Sequence, residues 1–597
     1  MSDYRAPVSD IKFVLDHIVC VEELAAIPGF GHVEPDVVSG LVDEAARFMA
    51  EVVAPTNRSG DRTGSQRNAD GSVSTPEGFR KTYEQYVAAG WNAVKSDPAY
   101  GGHGFPASVG IAVQEMLTAA NMAFSLCPML TMSAILALEH HGSEELKATY
   151  LEKLISGEWT GTMVLTEPEA GSDVGALRTR AERHDDGTWR IYGTKIFITW
   201  GEHDMADNIV HLVLARLPGA PPGTKGASLF AVPKYMVDTG GRLGARNDVT
   251  CVSIEHKLGI HGSPTCVLAF GENEGAVGHL IGEPNEGMKA MFTMMNDARL
   301  HVGLEGLGIA ERAFQQAAEH ARVRRQGRAV GAPAGESSPI VEHPDVRRML
   351  MTMKASIEAL RPLLYDTAKA IDLGHHHPDP EVRRINTARA GLLTPVAKAW
   401  GTDLGVELAS LGVQIHGGMG YVEETGAAQH WRDSRIAPIY EGTNGIQAID
   451  LVMRKLPMGG GDVVRSYLDE MAALGADLEK AADALGSMHT ELAEGVELLR
   501  NATEWLLSRT DPNDALAGAS PYLRMFGVVA GGYYLGREAL AARRLLDEHA
   551  DDPFVAAKIA TARFYCAQLL PTVFGLVPSV TAHAAALYAV PAELLGT

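Results

Sequence analysis

Positive charge is in short supply: 52 lysines and arginines face 74 aspartates and glutamates over 597 residues, a formal net charge of −22. A field of that sign repels a polyanion, which sets nucleic-acid binding aside. Cysteine is scarce too. The five (Cys20, Cys127, Cys251, Cys266 and Cys566) are scattered, odd in number and never spaced C-x-x-C. That argues against a disulfide framework and a zinc site, and fits a reducing cytoplasm. No basic N-terminal region leads into an apolar run, and no apolar segment reads as long enough to span a bilayer, so neither export nor anchoring is expected. No strict G-x-G-x-x-G opens a strand-turn-helix unit, so a Rossmann nucleotide site is not supported.

What is present is a globular composition, 46% hydrophobic and 21% charged, on a chain long enough for several cores. A first extension covers residues 1–34. From 35 to 160 the texture is helical: Val37, Leu41, Ala45, Phe48 and Val52 recur at steps of three and four. Gly101, Gly102, Gly104 and Pro106 interrupt it, and Ser143 is placed to cap a helix running to about Trp159. From 161 to 285, β-branched runs separated by Gly, Pro and Asp predict a small antiparallel barrel or sandwich. Helical spacing returns over 286–456, through segments 287–328, 343–372 and 380–412. After the glycines that follow Met458, residues 463–597 read as an appended helical domain.

Three motifs carry chemistry. Thr166-Glu-Pro-Glu-Ala-Gly-Ser-Asp173 follows a β run and offers hydroxyls beside a glycine that allows close backbone approach. Gln414-Ile-His-Gly-Gly-Met-Gly420 puts three glycines after a helix, and Ile439-Tyr-Glu-Gly-Thr-Asn-Gly-Ile-Gln447 sets one carboxylate between an aromatic and a glycine. Taken singly these are a turn, a helix stop and a solvated loop glutamate.

Together, in this order on a helical, β, helical frame, they resemble the acyl-CoA dehydrogenase family across about residues 35 to 455. HGSEELKATYLEKLISGEW (141–159), KIFIT (195–199), MNDAR (295–299) and WRDSRI (431–436) support the resemblance. It implies an α+β chain: an N-terminal helical domain, a middle β-barrel or sandwich and a C-terminal helical bundle, followed here by the appended helices. It also implies FAD as cofactor and desaturation of an acyl-CoA thioester.

Making a double bond beside a thioester needs a base for the α-proton, an acceptor for the β-hydride and donors for the charge that develops on the thioester oxygen. By the resemblance the base is Glu441, whose backbone N–H and a flavin ribityl hydroxyl face the thioester carbonyl. Met163, Leu165, Thr166, Phe197 and Thr199 would hold the isoalloxazine, Phe197 standing where many relatives carry Trp. Ser172, Asn296, Arg299 and Gly442 would face the acyl-CoA. Arg324 and Gln326, with Gln414, Gly417 and Gly418, would reach the flavin of a neighbouring subunit, while Thr443, Asn444 and Gly445 hold its AMP end. A homodimer follows. Some relatives place the base directly before the conserved arginine, but here that residue is Ala298, which leaves the role to the 441 loop. Arg322, Arg325 and Arg328 read as a solvated helix face, His375 to His377 as a solvated turn, and no metal is assigned.

Both extensions and KLGIHGSPT (257–265) look like the larger bacterial branch of the family. Its resemblance implies 3-methylmercaptopropionyl-CoA, of dimethylsulfoniopropionate breakdown, as substrate, with medium- or long-chain fatty acyl-CoA as the alternative. Met288, Met291, Met294 and Met295 could line a thioether pocket, although core packing explains them as well. Electron-transfer flavoprotein is the expected acceptor. An acyl-CoA oxidase and a catalytically silent acyl-CoA-binding protein remain alternatives.

Overall fold

The computed structural model describes residues 4–238, 240–548 and 551–596. The chain divides into two compact units: residues 4–6 with Glu44–His301, and Pro7–Asp43 with 302–596.

In the first unit the helices Ala107–Ala120 and Met122–His141 are buried on nearly every side, which is why their sequences show no amphipathic stripe. Met122–His141 is therefore long and apolar enough to cross a membrane, contrary to expectation, yet 89% of its apolar window is buried in the protein. Ser143 caps the next helix, accepting from the Leu146 N–H at 3.3 Å. That helix, Glu144–Ser156, stops before Trp159, because Gly157 turns left-handed at φ +80°. Trp159 instead opens the first long strand.

Among the described residues, seven strands follow one another across the main sheet, and an eighth lies off that path. Val249–Ile254 pairs with Thr265–Phe270, then come Trp189–Thr199, Ala276–Ile281, Ala227–Pro233, Asn208–Arg216 and Trp159–Val164. Arg180–Arg183 pairs with both Trp189–Thr199 and Asn208–Arg216, closing a barrel-like ring. Val164, Ile191, Ile198, Val213, Phe230 and Leu268 of this sheet share one buried apolar cluster. One departure from the antiparallel expectation is the parallel pairing of Trp159–Val164 with Asn208–Arg216. Residues 165–207 between them supply the long crossover that parallel pairing needs.

The helix Gly287–Val323 carries the chain into the second unit. It stops five residues short of the expected 328, because the chain folds back: Gln326 N–H donates to Ser338 O at 3.1 Å and Ser338 N–H to Gly327 O at 2.8 Å. Pro344–His376 and Pro380–His416 each begin on a proline, suited to a first turn whose N–H lacks a helical partner. The first and third of these long helices meet backbone to backbone. A Cβ at Gly306 would lie 2.0 Å from Gly401 O, and one at Gly405 would lie 2.7 Å from Gly306 Cα.

The appended helices, of which Ala519–Glu548 and Pro553–Gln568 are the most intimately paired, belong to this unit. So does the N-terminal segment. Lys558 Nζ lies 2.6 Å from Asp10, 3.3 Å from Glu538 and 3.5 Å from Glu358. Phe13 meets Phe554 edge to face, and Arg537 donates to Ile18 O at 3.3 Å.

Candidate functional site

In the second unit, Glu441 lies on the turn between helices Ala427–Ser434 and Asn444–Asp450. It is half-buried and left-handed at φ +56°, followed by Gly442 at φ +83°. A non-glycine residue in that region is disfavoured by about 1–2 kcal/mol, so the turn must be held from outside. Thr443 Oγ1 accepts from the Ile446 N–H at 3.2 Å, capping the helix that follows. The Asn444 amide donates to Asp403 at 2.7 Å, Thr402 at 3.0 Å and Ala399 O at 3.1 Å, and its oxygen accepts from Lys398 at 2.8 Å. Buried Gln447 donates to Glu441 O and Gly442 O, each at 3.3 Å. Asn444 thus clamps the turn to the helix Pro380–His416, leaving its backbone rather than its amide to meet a ligand.

The Tyr440 hydroxyl donates to Glu305, a carboxyl 1% exposed on the helix Gly287–Val323. Burial, reinforced by the charge of Glu441, pushes Glu305 up to about 8, against the pull of Tyr440 and Lys398. Burial, then Glu305, pushes the Tyr440 phenol well above its ordinary value. Sequence reasoning passed over Glu305, Gln447 and Lys398. The visible signal for the first was a single charge inside the apolar run VGLEGLGIA (302–310).

In the first unit, two segments make a wall. Ile196 N–H donates to Thr166 O at 2.9 Å, and Lys195 Nζ to Leu165 O at 2.8 Å, which sets Met163, Leu165 and Thr166 beside Phe197 and Thr199. Lys195 has no exposed surface and also reaches Glu167 Oε1 at 2.8 Å. Burial lowers its pKa to about 8, Glu167 opposing. Glu167 further accepts from the Arg178 and Thr179 N–H groups at 2.5 and 3.0 Å. Phe197 is left-handed at φ +58° and 58% exposed, an aromatic face standing in solvent beside buried Met163 and Leu165. This donor set fits a flavin: an apolar platform for the ring with hydroxyls of Thr166 and Thr199 at its edge.

Ser172 is exposed on the loop before Val174–Ala176. Arg299 is buried and donates to exposed Asn296 at 3.3 Å. Asp297 between them accepts from Lys95 at 2.6 Å and Ser133 at 2.9 Å. Burial works to raise the Asp297 pKa, but Lys95 and His301 outweigh it and hold the carboxyl below its ordinary value. Met291 and Met294 are fully buried.

Arg324 and Gln326 are exposed just past the end of their helix, Gln414 is exposed in the last turn of Pro380–His416, and Gly417 and Gly418 are exposed in the glycine turn after it. His320 and His416 stack at 4.4 Å, joining those two groups. Arg322 pairs with Glu319 at 2.8 Å on the exposed helix face, whereas Arg325, which pairs with Glu336 at 3.7 Å, and Arg328 lie beyond the helix end at Val323 and so are not on the expected face. Among the described residues no three His, Cys, Asp or Glu side chains are grouped to hold a metal.

Four family models match in succession: the acyl-CoA dehydrogenase N-terminal domain over 38–158, its middle domain over 162–272, its C-terminal domain over 285–456, and an acetyl-CoA dehydrogenase C-terminal-like domain over 467–591. A 3-methylmercaptopropionyl-CoA dehydrogenase of Ruegeria pomeroyi is 46% identical, over 95% of this chain and 96% of its own. A broad-specificity linear acyl-CoA dehydrogenase of Mycobacterium tuberculosis is 34% identical, covering 96% of each. Among solved structures, an acyl-CoA dehydrogenase complexed with FAD from Bacillus anthracis superposes with a TM-score of 0.69 at 21% identity, covering 91% of this chain and 88% of that one.

Proposed function

Because the chain belongs to the acyl-CoA dehydrogenase family and is an FAD-dependent oxidoreductase of acyl-CoA thioesters, we propose that it desaturates 3-methylmercaptopropionyl-CoA with Glu441 as the base. The observation that carries the base is the placing of Glu441 on a turn whose backbone is left-handed there and is clamped by Asn444, Gln447 and Tyr440. A base fixed in this way meets the α-carbon in one geometry without first reorganising.

Glu441 removes the α-proton and becomes a carboxylic acid, while negative charge develops on the thioester oxygen. Bound FAD supplies the acceptor for the β-hydride. Met163, Leu165, Thr166, Phe197 and Thr199 hold and shield it, and Arg299 and Asn296 orient the thioester. Two hydrogens leave the substrate and the product is the 2,3-enoyl-CoA.

The relative at 46% identity supports the thioether substrate; the one at 34% supports a linear fatty acyl-CoA as the second reading. Electron-transfer flavoprotein as acceptor, a homodimer in which Arg324, Gln326, Gln414, Gly417 and Gly418 serve the neighbouring subunit, and a cytoplasmic location complete the proposal. Anaerobic flavin reduction with a panel of acyl-CoAs, ranked by kcat/KM, tests the substrate. The thioether thioester should lead by at least about tenfold. Indifference to chain, or a lead for linear substrates, contradicts it. Rapid peroxide release during aerobic turnover would contradict the acceptor.

A further inference from the structure

The helix Gly287–Val323 fixes Glu305 between two glycines, Gly303 and Gly306, at which it lies against the helix Pro380–His416. The carboxyl is 1% exposed. One oxygen accepts from the Tyr440 hydroxyl, and the other, Oε1, has no hydrogen-bond partner among the described residues. An ionised carboxylate offers about four lone-pair sites and is strongly disfavoured when buried with most of them empty. The charged groups facing it are Glu441, the neighbour of Tyr440 in the turn, and Lys398 from the helix Pro380–His416. The Lys398 ammonium is itself held at 2.8 Å by Asn444. Tyr440 and Glu441 are adjacent, so whatever fixes the phenol fixes the base. A proton on Glu305 also decides whether one negative charge or two lie at this end of the turn.

We propose that Glu305 is a positioning residue for the reaction, a proton-bearing carboxyl that locks the turn through Tyr440 and sets the basicity of Glu441 by its own ionisation. This rests on Glu441 being the base. With Glu305 neutral, Glu441 carries the only negative charge of the pair. When Glu305 ionises, the second charge raises the proton affinity of Glu441. Moving charge off Glu441 onto the thioester then becomes easier, and proton removal accelerates. Glu305 itself neither touches substrate nor takes its proton.

The test is anaerobic stopped-flow reduction of the holoenzyme by acyl-CoA, followed from about pH 6 to about pH 10. Wild type should show a second rise, of about two- to fivefold, above the ionisation of Glu441. Glu305→Gln keeps an acceptor oxygen for Tyr440; its rate at neutral pH should fall by less than about tenfold with KM little changed, and the second rise should vanish. A role in folding alone would lower Tm and leave the profile in place. A Glu305→Gln profile that overlays wild type, or a wild type without a second rise, overturns the proposal. Should that variant not retain FAD, Tyr440→Phe decides. It removes the hydrogen bond that favours the ionised form, so the rise must move to higher pH; an unmoved rise overturns the proposal. Glu441→Gln separates the two readings: reduction that persists there removes Glu441 as the base, whereas abolished reduction with an unchanged Glu305→Gln profile removes only the role of Glu305.

Discussion

Lys195 is a single buried charge on which the proposed flavin wall depends. Its ammonium is enclosed with Leu165 O and Glu167, and Glu167 in turn orders the Arg178 and Thr179 backbone. Replacing it with methionine would leave Glu167 buried without its cation, a change expected to cost roughly 3–5 kcal/mol. Urea unfolding of Lys195→Met, with FAD content measured beside it, checks this; a loss below about 1 kcal/mol would mean the pair contributes little. Nothing in the sequence linked the two residues. KIFIT and TEPEAGSD were legible as separate motifs, but a Lys and a Glu 28 positions apart resemble any two surface charges. The same holds for Tyr440 and Glu305, 135 positions apart. Glu441 was legible because its neighbours form a motif. The residues that hold it are set by the tertiary fold and have no motif of their own.

Elements were legible where periodicity is strong and obscure where burial erases it. Pro344–His376 and Pro380–His416 run four residues past the expected ends at 372 and 412, the kind of difference common at helix termini. The strands Arg180–Arg183 and Ala276–Ile281 carry little strand signal: the first is polar at three of four positions and the second includes Gly278 and His279. Helix crossings are equally silent in sequence, since Gly303, Gly306, Gly401 and Gly405 read as poor helix formers. In the fold they let two backbones touch. Gly306→Ala should therefore destabilise by about 1–3 kcal/mol and disturb Glu305 next to it. Gly475, on the helix Asp462–Lys480 with nothing within 4 Å of an added Cβ, is the control. There alanine should stabilise by about 0.4–1 kcal/mol. Thermal unfolding of the two variants distinguishes them; equal effects would show that the crossing tolerates a methyl group.

Across the whole molecule, the N-terminal extension from Pro7 onward and the appended helices, which looked independent in sequence, belong to one unit, joined by Lys558 and the acids Asp10, Glu358 and Glu538. Burial, with Glu358 and Asp10 adding to it, pushes Glu538 up to about 7 against the pull of Lys558. A carboxyl raised in the folded state contributes stability that is full below its unfolded pKa and lost as pH climbs through the folded one. Stability should thus fall between about pH 4.5 and about pH 7 by on the order of 3 kcal/mol from this group. Thermal unfolding across that range should show a flatter slope for Glu538→Gln; an unchanged slope would remove Glu538 from the account. Lys558→Met should go further and open residues 7–25 to limited proteolysis while Glu441 and its clamps stay in place.

The most direct test of the central claim is anaerobic mixing of Glu441→Gln holoenzyme with 3-methylmercaptopropionyl-CoA, with flavin absorbance followed in time. The account predicts a variant that binds FAD and the thioester but bleaches at least about a hundredfold more slowly than wild type. Bleaching within about tenfold of the wild-type rate would contradict it.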